Sequence, residues 1–154
     1  MAEEAKTFDV YDEKGTRLAE AKPSPVTLEG LEPNTKYSGW KLAYAGKDAK
    51  AAIPDFTTLP LALASFMIDN LTPSGVEGGS VVLTANNFTP AKATDKGLNV
   101  AIEDSSVATL VDNKDNTYTV NFVKAGTTKI HWVAKDGNGA KADATVTVTA
   151  PSVG

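Results

Sequence analysis

Ser105 to Lys135 reads SSVATLVDNKDNTYTVNFVKAGTTKIHWVAK, and its period decides the fold class. Val107, Leu110 and Val111 form a short apolar patch, and Asp112-Asn113-Lys114-Asp115-Asn116 is a polar turn. Tyr118, Val120 and Phe122 then alternate with Thr117, Thr119 and Asn121. Gly126 interrupts, after which Ile130, Trp132 and Ala134 alternate again. A period of two puts one side of a strand in a core and the other in water. Downstream, Asp136-Gly137-Asn138-Gly139 is a hairpin turn in which Gly and Asn supply positive φ. Ala142, Ala144, Val146 and Val148 then share one face, with Thr145, Thr147 and Thr149 on the other.

Upstream of that stretch, Leu98 to Glu103 and Ser80 to Phe88 read as strands. Thr72 to Gly79 (TPSGVEGG) reads as a turn-rich loop, and Ser65 to Leu71 as the start of the domain. Seven short strands at this spacing predict a β-sandwich. Leu61 to Ala64 reads as a linker, with Leu61 and Leu63 available to pack between two halves; a short helix is the alternative.

The first sixty residues are also strand-like. Thr7 to Tyr11 alternates, Asp12 to Gly15 turns, and Thr16 to Ala21 returns as a hairpin partner. Pro23 and Pro25 exclude a central ladder position, because proline has no N–H to donate. Val26-Thr27-Leu28 with Leu31 predicts a further short strand. Lys36 to Tyr44 (KYSGWKLAY) is the main strand of this half, and Gly39 within it marks a bulge or a close backbone contact. Ala51 to Leu59, carrying Pro54, closes the half, and Met1 to Lys6 is a polar leader. The expected architecture is all-β: two Ig-like β-sandwich modules, of which the first is short or incomplete. The expected boundaries are 1–60 for the first module, 61–65 for a linker, 66–150 for the second module and 151–154 for a tail.

Composition narrows the function classes. The net charge is −4 and the lysines are scattered singly among Asp and Glu. That pattern argues against nucleic acid, whose binding rests on clustered phosphate-neutralising charge. With no cysteine, neither a disulfide framework nor a thiolate metal site can form. The N-terminus MAEEAKTF has no apolar core of a signal peptide, and no 18-residue apolar run exists, so no membrane insertion is expected.

No set of residues reads as catalytic. His131 is the only histidine, so neither a triad nor a histidine metal cluster is available. Its strand position, opposite to Ile130 and Trp132, predicts a solvated surface residue. Asp112, Asn113, Asp115 and Asn116 carry oxygens of the kind that hold Ca²⁺. Their spacing does not fit an EF-hand loop and no Glu closes it, so a plain polar turn is expected. Asn70-Leu71-Thr72 and Asn87-Phe88-Thr89 match the glycosylation acceptor pattern, which is common by chance. Trp40, Tyr37 and Tyr44 could stack on sugars where exposed, with core packing the competing use for at least two of them. No cofactor and no metal are expected, and the chain is not read as an enzyme.

Two resemblances extend this reading. VTLEGLEPNTKY, Val26 to Tyr37, resembles the fibronectin type III passage in which a strand ends in Gly-Leu, followed by Pro-x-Thr and Tyr. FTTLP, Phe56 to Pro60, is similar to the closing strand of that family. The resemblance covers about residues 7–60, shorter than a complete domain, and implies that the first two strands are missing. Either the half is a truncated sandwich or another segment completes it. VEGGSVVLTA (Val76 to Ala85), TPAKATDKGLNVAIEDSSVATLV (Thr89 to Val111) and VKAGTTKIHWVAKDGNGAKADATVTV (Val123 to Val148) resemble the bacterial Ig-like domain, group 2. One departure stands out. Ile102 sits where that family usually has Trp, and Trp132 is expected to supply the aromatic bulk from a later strand.

The group 2 resemblance implies two settings. One is a tailed-phage virion, where such a domain decorates a capsid or tail and touches host surface glycans weakly. The other is a bacterial surface adhesin. The expectation is a virion accessory protein that serves weak host-surface adhesion or particle stabilisation, and whose partners are other capsid or tail proteins, host surface glycans and further copies of itself. A fragment of a bacterial cell-surface adhesin, or a cell-wall or carbohydrate-binding module, is the alternative. Docking is expected of the incomplete first half, because missing strands leave an open edge for a partner to fill.

Overall fold

The computed structural model describes residues 5–154, and the described residues carry fourteen strands and no helix. The fold is all-β and its modules are Ig-like. The chain divides into two compact units, the first ending at Pro60 and the second running Leu61–Gly154. The first four residues of the expected leader lie outside the described residues. Among the described residues, no helix is long and apolar enough to cross a membrane.

In the first unit, β1 (Thr7–Tyr11), β2 (Arg17–Pro23), β4 (Lys41–Tyr44) and β5 (Lys50–Ala52) form one sheet in the order β2-β1-β4-β5. The Lys36 to Tyr44 alternation is broken in the middle. β3 (Lys36–Tyr37) is separated from β4 by Ser38 to Trp40, and pairs instead with β6 (Phe56–Thr57). Gly39 lies at φ +71, and a Cβ there would stand 3.2 Å from the Cβ of Glu13. The structure therefore has a break between two strands in place of the expected bulge, and Gly39 is the point of close approach to Glu13. Pro54 likewise splits the closing strand into β5 and β6.

Pro23 sits at the end of β2, an edge strand, where its missing N–H costs no ladder bond. The expected strand at Val26 to Leu28 is not formed. These residues lie over the sheet, with Val26, Leu28 and Leu31 packed on Val10, Ala19 and Trp40. They have the alternation of a strand but no neighbouring strand to pair with, and a strand exists only as part of a ladder.

The second unit holds eight strands in two facing sheets. One has the order β10-β13-β14-β8, from β10 (Leu98–Ile102), β13 (Gly126–Ala134), β14 (Lys141–Thr149) and β8 (Ser74–Val76). The other has the order β11-β12-β9-β7, from β11 (Ala108–Asp112), β12 (Thr117–Phe122), β9 (Ser80–Thr89) and β7 (Ser65–Ile68). Leu83, Val120, Ile130, Trp132 and Val146 are wholly buried between the sheets. Trp132 meets Tyr118 edge to face, with ring centroids 5.8 Å apart, while Ile102 packs half-buried at the margin of the core. The indole Nε1 of Trp132 is buried without a hydrogen-bond partner among the described residues.

Three local expectations are corrected here. Thr72 to Gly79 is not only loop, because β8 lies in it and pairs in parallel with β14, Gly75 opposite Val148. Leu63, placed by sequence in a linker, is fully buried in the core of the second unit. At the 136–139 hairpin the positive φ values belong to Gly137 and Gly139, and Asn138 does other work. Its side chain donates to the Leu63 carbonyl, while Asp136 Oδ2 accepts from the Leu63 N–H at 2.6 Å. The turn thereby holds the incoming chain against the sandwich.

Candidate interaction surfaces

The three aromatics singled out by sequence are placed differently. Tyr37, Trp40 and Phe56 form one cluster, with centroids 5.1 to 5.4 Å apart. Trp40 is only 5% exposed and serves the core of the first unit. Tyr37 is half-buried, and its hydroxyl accepts a hydrogen bond from the Glu32 N–H at 2.9 Å. Tyr37 is the last residue of the two-residue β3 and bonds back to the backbone five residues upstream, a contact of the kind made at the tyrosine corner of Ig-like sandwiches. Tyr44 is 53% exposed and stacks on Phe8, with centroids 5.2 Å apart. No single aromatic platform joins the three.

Tyr37→Phe is expected to destabilise the first unit by about 1 kcal/mol, the net worth of one hydrogen bond, with the ring packing kept. Urea unfolding followed by fluorescence in a Trp132→Phe background, which leaves Trp40 as the one tryptophan, would read it; an unchanged midpoint would deny the bond a role.

Beside this cluster lies a groove of about 1010 Å³, lined by Leu18, Ala19, Leu28, Tyr37 and Trp40 among others. In the 112–116 loop the acidic side chains are engaged locally. Asp112 Oδ1 accepts from the Lys114 N–H, and Asp115 Oδ1 from the N–H and hydroxyl of Thr117. Lys114 and Asn116 take positive φ. The carboxylates are thus consumed in closing a turn, and among the described residues no group of acidic and histidine side chains is arranged to hold a metal ion.

The two outer faces of the second unit differ in charge. On the β11-β12-β9-β7 face, Val111, Thr119 and Val82 lie side by side across three strands, flanked by Thr109, Asn121 and Thr84. Val82 and Val111 are half exposed, and none of these side chains is charged. The β10-β13-β14 face carries His131 between two carboxylates. Nδ1 lies 2.5 Å from Asp143 and Nε2 2.9 Å from Glu103, with Lys129 and Lys141 nearby. The hydrogen bond to Asp143, then that to Glu103, holds the imidazole pKa above its ordinary 6.5, and the same contact holds Asp143 below its ordinary value.

The sign of the resulting pH dependence follows. A raised histidine pKa contributes stability that is complete below the unfolded value and is lost as pH rises through the folded one. The depressed Asp143 pKa contributes above its own unfolded value and is lost in acid. The unfolding midpoint of the native chain should therefore exceed that of His131→Gln most between about pH 4 and 6.5. The gap should be small, because all three groups are exposed, and should close in alkali. A gap that widens above pH 7 would contradict the assignment.

Residues 62–146, which hold both facing sheets except the last three residues of β14, match the bacterial Ig-like domain (group 2). The chain belongs to this family. No curated protein matches this group 2 chain. Among solved structures, domains 4 and 5 of the S-layer protein SbsC are similar at 18% identity and a TM-score of 0.53, over 95% of this chain and 71% of that one. A structure of SbsC domains 1–6 is similar at 18% identity and a TM-score of 0.55, over 97% of this chain and 20% of that one. At this identity the likeness is one of fold, and the chain spans about a fifth of the longer SbsC structures.

Proposed function

We propose that the chain is a non-enzymatic structural and binding protein of a tailed-phage virion, a capsid decoration or tail accessory protein. In this reading the group 2 sandwich is displayed and the fibronectin type III-like first unit faces other virion proteins. The carrying observation is the match of residues 62–146 to the group 2 family, a module suited to display because a complete core, centred on Leu83, Val120, Ile130 and Trp132, is closed between its two sheets. The corner hydrogen bond of Tyr37 supports the fibronectin-like character of the first unit. Contact with host surface glycans falls to surfaces of low charge, the Val82–Thr119–Val111 face and the exposed ring of Tyr44. Such contacts are individually weak. Many copies on one particle gain by avidity, on the order of 10²–10⁴-fold.

A second reading places the same module on a bacterial cell surface, and the fold likeness to the S-layer protein SbsC favours it. Immunogold electron microscopy of the source culture after prophage induction separates the two. Gold on heads or tails of particles is the expected result. Gold confined to cell envelopes, with particles bare, would overturn the virion reading and establish the second.

A further inference from the structure

We infer that the first unit is an acceptor for a β-strand supplied by another polypeptide, and that residues 26–29 are the template on which that strand pairs. The inference holds for either setting above and does not rest on the choice between them.

Three observations converge on this segment. Its side chains have the pattern of a paired strand: Val26 and Leu28 are half-buried, and Thr27 and Glu29 point to solvent. Its backbone does not. Among the described residues, no backbone N–H or carbonyl of 26–29 has a backbone partner, and the segment belongs to no sheet. Unpaired groups in an extended apolar segment are a template for another chain. The core beneath is unfinished as well. Only Val10, Ala19 and Trp40 are fully buried in this cluster, while Leu42, Ile53 and Phe56 join Val26 and Leu28 in partial burial. A unit of this size buries too little surface to be stable with ease, and an added strand would cover what is left.

The chemistry of the occupant follows. A sugar or small ligand would meet the mixed lining of the groove, Leu18, Leu28 and Trp40 with Asp12, Lys22 and Lys36, but leave the row of backbone donors and acceptors of 26–29 unmet. A polypeptide strand satisfies both, main chain to main chain, with alternate side chains entering the groove toward Leu28 and Trp40. The exposed edge of β2 is a poorer template. Ala21 takes φ +47 there and Pro23 ends the strand, devices that disrupt edge pairing. Residues 26–29 have neither within them, and the segment is bounded by Pro25 before it and by Gly30 at φ +77 after it. The strand accepted is therefore short, about four to five residues of alternating apolar and polar type.

The test uses the full chain at a concentration where it is monomeric, with a synthetic ten-residue peptide of alternating Val and Thr, lysine-capped for solubility. The control is the same peptide N-methylated at alternate residues, which keeps its side chains and removes one edge of donors. The unmodified peptide is expected to bind saturably and to slow amide exchange at Thr27 and Glu29 by about tenfold or more. The methylated peptide should do neither. Equal effects of the two peptides, or none from either, would overturn the inference, as would amides of 26–29 already protected in the free monomer. Protection that grows with chain concentration in the absence of peptide would overturn it too, by making a second copy the occupant.

Discussion

Trp132→Ala is expected to destabilise the second unit by about 3–5 kcal/mol, a large part of the stability of an ordinary domain. The indole is wholly buried, near the C-terminal end of β13, and its ring is met by Tyr118 from the opposite sheet. Truncation leaves a cavity that two hydrogen-bonded sheets cannot close, because their spacing is set by the remaining large side chains. Trp132→Phe should cost much less, about 1–2 kcal/mol. It keeps most of the ring contact and removes an Nε1–H that is buried without a partner among the described residues. Chemical unfolding of the three proteins, followed by near-ultraviolet circular dichroism, would give the order. Equal losses for Ala and Phe would show that the indole matters for something other than volume.

Gly75→Ala is expected to lower stability by about 1–3 kcal/mol, or more if the ring beside it has nowhere to go. The added Cβ would lie 2.2 Å from Cε2 of Phe122. Phe122 is itself in the core, 5% exposed, so the ring cannot simply swing out to solvent. The backbone at Gly75 is not in the left-handed region, so the loss isolates a steric cause. A second change tests this directly. In a Phe122→Leu background the same substitution should cost less, because the two side chains compete for one space. Additive losses in a double-mutant cycle would refute the contact.

The strands of the second unit were largely legible along the chain, because each has one face in a core and one in water. β12, β13 and β14 carry that alternation in Tyr118–Phe122, Ile130–Ala134 and Ala144–Val148 without a break. The segment of β8 was not legible. Ser74-Gly75-Val76 has no apolar period, and it becomes a strand only because the end of β14 runs beside it in parallel. The role of Leu63 was hidden for a related reason. Its burial depends on the 136–139 turn, more than seventy residues away, which supplies Asp136 and Asn138 to its backbone.

The interaction surfaces were less legible still. Sequence read Tyr37, Trp40 and Tyr44 as one strand, whereas Trp40 lies in the break between β3 and β4, and exposure depends on what each residue faces. Trp40 turns to the core, Tyr37 spends its hydroxyl on Glu32, and Tyr44 remains open beside Phe8. His131 was readable as a surface residue, yet its two carboxylate partners come from β14 and from the residue after β10. No local pattern announces a pairing across three strands.

By itself, then, the sequence determined the all-β class, most strand positions in the second unit and the family pattern over it, since period-two burial is written locally into each strand. Tertiary structure alone decided that Val26 to Leu28 stays unpaired, that Ser74 to Val76 pairs, and which aromatic remains exposed. Those outcomes depend on whether a neighbouring strand is present, and a ladder bond has its donor and its acceptor on two different segments of chain.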